Sequence, residues 1–238
     1  GHRAMDAHTT GTDNVAIGAN ALDSNTTADN NVAVGSGALA GNTTGTNNVA
    51  IGRSSFNVST TASDNVGVGL STGQSTTTGF HLVAIGRNAL VANTTGDSNI
   101  AIGRACMEAN TTASNNTAVG KHALLTNTTG SENIAIGAYA LDASTTATGN
   151  VAVGYTALGV NTTGNENVAV GSFALDANTT ARFNTAVGQM ALSANTTAEA
   201  NTGIGRTSLF ANTTGGSNTG CGCATLENNT TGASNNAF

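Results

Sequence analysis

Residues 161–177 read NTTGNENVAVGSFALDA, and at Asn178 the same phrase starts over. Working outward in both directions, glycine stands at position 1 and at every seventeenth position after it, through Gly18, Gly35 and Gly52 to Gly222, in all 14 copies. A Thr-Thr pair keeps the same period from Thr9 to Thr230, and 14 × 17 = 238 accounts for every residue. A fixed period of this kind marks a repeat architecture, in which each copy is one structural unit stacked on the next. The chain is therefore read as a single repeat domain spanning residues 1–238, and as a piece of a longer fibre protein.

Aligned copies form columns, and each column has a physical reading. Asn stands at Asn14, Asn31, Asn48 and onward in 13 of 14 copies, with Leu82 the exception. Next comes a strand-favouring residue, usually Val, Ile or Thr, then Ala or Gly, then Ile or Val, then the invariant Gly, as in NVAIG at residues 14–18. Large and small side chains alternate with period two, the pattern of a strand with one buried face. On this reading Val15, Ile17, Val168 and Val170 point inward. Leu22 and Leu175 join them from a column that holds Leu in 10 copies.

Three aliphatics cannot offset the entropy of ordering a 17-residue copy at about 1–2 kcal/mol per residue. Stacked copies can, because every column then becomes a continuous ladder. Helices are disfavoured by recurrent Gly, Asn and Thr and by β-branched residues at period two. The expected fold is all-β: a β-solenoid, a parallel β-roll or β-helix of fourteen 17-residue coils, about 65 Å long at about 4.8 Å per strand. Gly18, Gly35 and Gly52 fit corners that need positive φ or close backbone approach. Asn14, Asn31 and Asn48 fit other corners, where stacked amides can bond along the ladder. Handedness, and whether chains coil singly or intertwine, stay open.

Between the two aliphatics lie Ala16, Ala33, Ala50, Ala84, Ala101, Ala118, Ala135, Ala152, Ala169 and Ala186, in a column that is Ala or Gly in all 14 copies. A solvent-facing strand position would tolerate Lys, Glu, Thr or Gln, and none occurs. Either a rigid turn geometry excludes bulk, or the column is a flat strip against which another chain packs. The second reading is preferred and makes the chain a homo-oligomer, foremost a homotrimer, with the Ala strip near its axis. Arg53, Arg87, Arg104, Lys121 and Arg206 share the position after the invariant Gly, which places that position at an outer edge.

Composition removes several function classes. A net charge of −6 with 7 Lys and Arg argues against nucleic acid. No apolar run approaches the roughly 20 residues that span a bilayer, so no membrane insertion is expected. A uniform ladder offers no unique convergent pocket, so an enzyme is not expected and no catalytic residue is assigned. His2, His8, His81 and His122 share no ligand spacing, and Cys-x-Cys at Cys221 and Cys223 supplies only two thiols, so neither metal nor cofactor is expected. Cys221 replaces an Ile/Val position and is read as buried. Ten Asn-Thr-Thr triplets are formal glycosylation acceptors, but their periodicity makes the match accidental.

The phrase NTTGxxNVAIGxxAL resembles the repeats of phage and phage-like tail fibres, and VAIG resembles the left-handed β-roll heads of YadA-type trimeric autotransporter adhesins. The resemblance covers the whole chain, although the YadA-type repeat is shorter than this one. It implies a trimeric, extracellular stalk or adhesive head on a bacterial cell surface or phage virion, with a cell-surface receptor or glycan as partner. An ice-binding β-solenoid using ranked Thr and Asn columns is the alternative. Two departures stand out: Gly73 replaces the column Leu near Phe80, His81 and Leu82, and the first strand column turns to Thr185, Thr202 and Thr219, which implies a more polar core and fraying at the C-terminal end.

Overall fold

The computed structural model describes all residues, Gly1–Phe238, and contains no helix. They form two compact units, Gly1–Asn116 and Thr117–Phe238. In the first unit, β1 (Val15–Ile17), β2 (Val32–Val34), β3 (Val49–Ile51), β4 (Val66–Val68), β5 (Val83–Ile85) and β6 (Ile100–Ile102) pair in parallel, each with the next. In the second, β7 (Thr117–Val119), β8 (Ile134–Ile136), β9 (Val151–Val153), β10 (Val168–Val170), β11 (Thr185–Val187), β12 (Thr202–Ile204), β13 (Thr219–Cys221) and β14 (Asn236–Ala237) do the same. Each unit is a β-solenoid with one short strand per 17-residue coil.

Register follows from the period. Val15 lies opposite Val32, Ala16 opposite Ala33 and Ile17 opposite Val34, so like stacks on like. Hydrogen bonds between coils continue beyond the strands: Leu22 N donates to Ala38 O at 3.0 Å, Ser24 N to Ala40 O at 2.9 Å and Gly37 N to Ala19 O at 2.9 Å. The coil closes because the invariant glycine takes φ 133° at Gly18, where a Cβ would sit 2.6 Å from the carbonyl of Gly35. Only glycine fits that approach. The next corner is stranger: Leu22 and Leu39, wholly buried, hold φ of 51° and 49°. A left-handed leucine costs about 1–2 kcal/mol, offset by burial of the side chain and by the Leu22 bond to the next coil.

The two faces of the strand are the reverse of the sequence expectation. Ala33, Ala50, Ala84, Ala101, Ala118, Ala135, Ala152, Ala169 and Ala186 are all 0% exposed, and Ala16 is half-buried in the first coil. Val15 and Ile17 are 44% and 60% exposed, and Val168 and Val170 are half-exposed. The Ala column is therefore core, not an oligomer interface, and the Val/Ile columns are surface, not a core ladder. The cause is the narrow bore of the coil. Leu22, Leu175 and their equivalents fill it from the far side. In β12, a Cβ placed on Gly203 would lie 3.2 Å from Ser208 O and 3.3 Å from Leu192 Cγ, so that even a methyl is tightly held there.

This reversal also moves the expected polar column out of the core near the C terminus, where Ser208 alone of the column before Leu209 stays as a buried hydroxyl bonded to Gly220 O at 3.0 Å. Thr185, Thr202 and Thr219 occupy the outer column and leave the interior Leu192 and Leu209 fully buried.

Asparagine fills the rest of the interior. Asn31 and Asn48 are buried, while Asn14 in the first coil is half-buried. Asn31 Oδ1 accepts from Asn48 N at 3.0 Å and Asn48 Nδ2 at 3.1 Å, and Asn48 Nδ2 also donates to Ala62 O at 2.8 Å. The unit repeats up the ladder, as at Asn150, Asn167 and Asn184. A second ladder runs through the Asn before each Thr pair: Asn178 Nδ2 donates to Asn161 Oδ1 at 3.0 Å and to Ala181 O at 3.1 Å. Buried amides are tolerable when they are bonded this fully.

The departure at Gly73 makes room for a larger neighbour. Phe56 stands in the Leu column, wholly buried, and its ring occupies the space that a Cβ on Gly67 or Gly73 would need. Beside it the Ser55 and Thr72 hydroxyls bond at 2.7 Å. One large ring thus replaces parts of three positions.

Candidate functional site

With Ala inside, each unit turns outward two columns of β-branched side chains. Val15, Ile17, Ile51, Val68, Ile85 and Ile100 in the first unit, and Ile134, Ile136, Val187 and Ile204 in the second, are each 36–60% exposed. Strands about 4.8 Å apart, with about 7 Å between alternate residues of one strand, make this a flat and regular surface. Over the eight strands of the second unit it spans on the order of 300 Å², with Thr117, Thr185, Thr202, Thr219 and Asn236 interspersed among its Val and Ile, a size at the low end of the largest patches on ordinary monomers, which are often functional. It carries no charged residue.

The remaining expected positions divide as follows. Gly18, Gly35 and Gly52 stand at corners with φ of 133–135°. Arg53, Arg87, Arg104, Lys121 and Arg206 are all exposed. Of each Thr pair the second member is exposed in every coil, from Thr10 to Thr231. The first spends its hydroxyl on the ladder, Thr43 Oγ1 donating to Thr60 O at 3.0 Å. Ranked Thr is thus a single outward column, and ranked Asn is interior. The Asn of nine of the ten Asn-Thr-Thr triplets is buried, as at Asn25, Asn93 and Asn161, which closes those amides to modification, and Asn229 in the last coil is half-exposed.

Among the thiols, Cys106 is buried, and that burial pushes it up to about 12. Cys221 is exposed, against the expectation of burial, because its column faces out; Cys223 is exposed too. No group of three His, Cys, Asp or Glu residues stands close enough to hold a metal ion, and no helix is long and apolar enough to cross a membrane.

One surface feature had no signal in the repeat. His122, Tyr139, Tyr155 and Phe173 form a run of edge-to-face rings in the second unit, beside a cavity of about 400 Å³. Read column by column, these residues look like scattered variation; only their stacking in consecutive coils brings them together.

No family model matches the chain, and no curated protein matches it in sequence.

Proposed function

We propose that this chain is a structural segment of a surface fibre or adhesin that works as a homo-oligomer, foremost a homotrimer, assembled through its Val/Ile face. The observation that carries the reading is the pair of exposed β-branched columns. Uncharged, flat and repeated at every coil, they lose water best against an identical ladder in the same register. Two columns give the strip two flanks, so three copies around a common axis can each turn one flank to either neighbour. Resemblance to tail-fibre repeats and YadA-type heads supports the threefold state and a location on a bacterial cell surface or phage virion, with a receptor or glycan as target.

Sedimentation equilibrium tests this. A species of three times 23.2 kDa is expected, and Ile136→Lys with Val153→Lys should give a folded monomer with unchanged far-UV circular dichroism. A wild-type monomer of 23.2 kDa overturns assembly, and a dimer overturns the threefold state.

A second reading, ice binding, is favoured by the outward Thr that recurs in every coil of each unit. It requires thermal hysteresis and shaped ice crystals from the purified chain, and their absence at high concentration removes it.

A further inference from the structure

Eight aromatic residues serve the whole chain, and three of them, including both tyrosines, meet at one place. Tyr139 and Phe173 occupy the second position after the invariant Gly of their coils, while Tyr155, in the coil between, occupies the first. That one-residue offset turns the middle ring across its neighbours. Tyr139 and Tyr155 lie 6.1 Å apart at 87°, and Tyr155 and Phe173 lie 5.4 Å apart at 79°.

Below the rings, the column after Leu holds Asp142, Gly159 and Asp176 in consecutive coils. Gly159 is the only glycine in that column, and its missing side chain opens the floor of the cavity of about 400 Å³ between two carboxylates. Neither carboxylate is in an ion pair; Asp176 accepts from Ser193 Oγ at 2.6 Å.

We infer that this notch binds a compact organic cation of the trimethylammonium class. Rings of differing tilt border one open notch together with two carboxylates, a shape that suits a small rounded group, whereas a flat sugar ring needs a coplanar platform. Aromatic faces attract a weakly hydrated cation, and two carboxylates outside any ion pair supply the charge that a neutral guest would not need. A cation already stands at the edge of this aromatic run: Lys121 Nζ donates to the Tyr139 hydroxyl at 2.8 Å and lies 5.1 Å from the ring centroid, which leaves the ring faces themselves open. Burial raises the Asp142 carboxyl above its ordinary range, with His122 pulling the other way, so a cation seated beside it would relieve a disfavoured charge. None of these residues lies on the strand face, so the site stands or falls apart from assembly.

The test uses the tyrosines themselves, since the chain has two and no tryptophan. Titration with choline or tetramethylammonium at constant ionic strength should give a saturable change in tyrosine fluorescence at millimolar concentration. Phe173→Leu, which keeps both fluorophores, should weaken it about fivefold, and Asp142→Asn about threefold. Gly159→Leu fills the floor with the residue that Leu125 already supplies at that position, and should abolish the response while far-UV circular dichroism stays unchanged. Free choline that saturates without the chain co-sedimenting on phosphatidylcholine vesicles assigns the site to the free cation. Vesicle binding blocked by choline and by Gly159→Leu assigns it to the lipid head group, and both results uphold the site. A response that fails to saturate, that survives Gly159→Leu, or that the neutral carbon isostere of choline reproduces equally would overturn it.

Discussion

The two sides of a three-residue strand such as β9 obey opposite rules. Ala152 faces inward, wholly buried, in a column that admits only Ala and Gly; Val151 and Val153 face outward, half-exposed, in columns that elsewhere hold Ile, Thr, Cys and Asn. The strict column is the interior because packing leaves space for one methyl. The variable columns are the surface because any strand-compatible side chain lies flat there. Tolerance therefore reports location better than hydrophobicity does.

The sharpest way to break this contrast is to exchange the rules. Ala152→Val should cost about 3 kcal/mol, since two added methyls have no space beside the buried leucines. Val153→Thr, one residue away, should change the unfolding free energy measured in urea by less than about 0.5 kcal/mol. Were the Ala strip outward after all, Ala152→Val would be near neutral.

Coils built around Phe56 sharpen the same contrast from inside. Gly73→Leu restores the common column residue but drives its Cβ into the Phe56 ring, and Phe56→Leu alone leaves a void beneath Gly67 and Gly73. The double substitution recreates the leucine ladder found in the neighbouring coils. A double-mutant cycle should give about 1–3 kcal/mol of favourable coupling. Strict additivity would mean that the ring and the glycines do not share one space.

Much of this was legible in the sequence. The period of 17 gave the coil, the invariant Gly its corner, and like-on-like stacking the parallel register. Leu22 and Leu175 were correctly placed inside because leucine is a poor choice for an exposed corner. The facing of Val15 and Ile17 was not legible. Alternation divides a strand into two faces without saying which one is in, and the bore of the coil decides that through Leu and two Asn ladders contributed by distant parts of the copy. The aromatic notch was missed for a different reason. It is written across Tyr139, Tyr155, Gly159 and Phe173, in different columns of successive copies, and column-wise reading averages such a pattern away.

The smallest effect, and the finest probe, belongs to the cysteines. Cys106 replaces an inner Ala, whereas Cys221 replaces an outer Ile or Val. At neutral pH a thiol reagent should modify Cys223 and Cys221 within minutes and leave Cys106 untouched until the chain is unfolded. Burial raises the Cys106 thiol from 9.0 to about 12, so the folded protein holds a proton that the unfolded chain gives up. Stability is unaffected by this group below about pH 9 and declines as pH rises from there toward 12, the unfolded chain alone gaining from ionisation. Cys106→Ala should flatten that alkaline decline without changing stability near pH 7 by more than about 1 kcal/mol. Cys221 carries the added information. Standing on the Val/Ile face, it should react more slowly than Cys223 when the chain is concentrated enough to assemble, and at the same rate after Ile136→Lys and Val153→Lys. Equal rates under both conditions would leave the face uncovered and count against assembly through it.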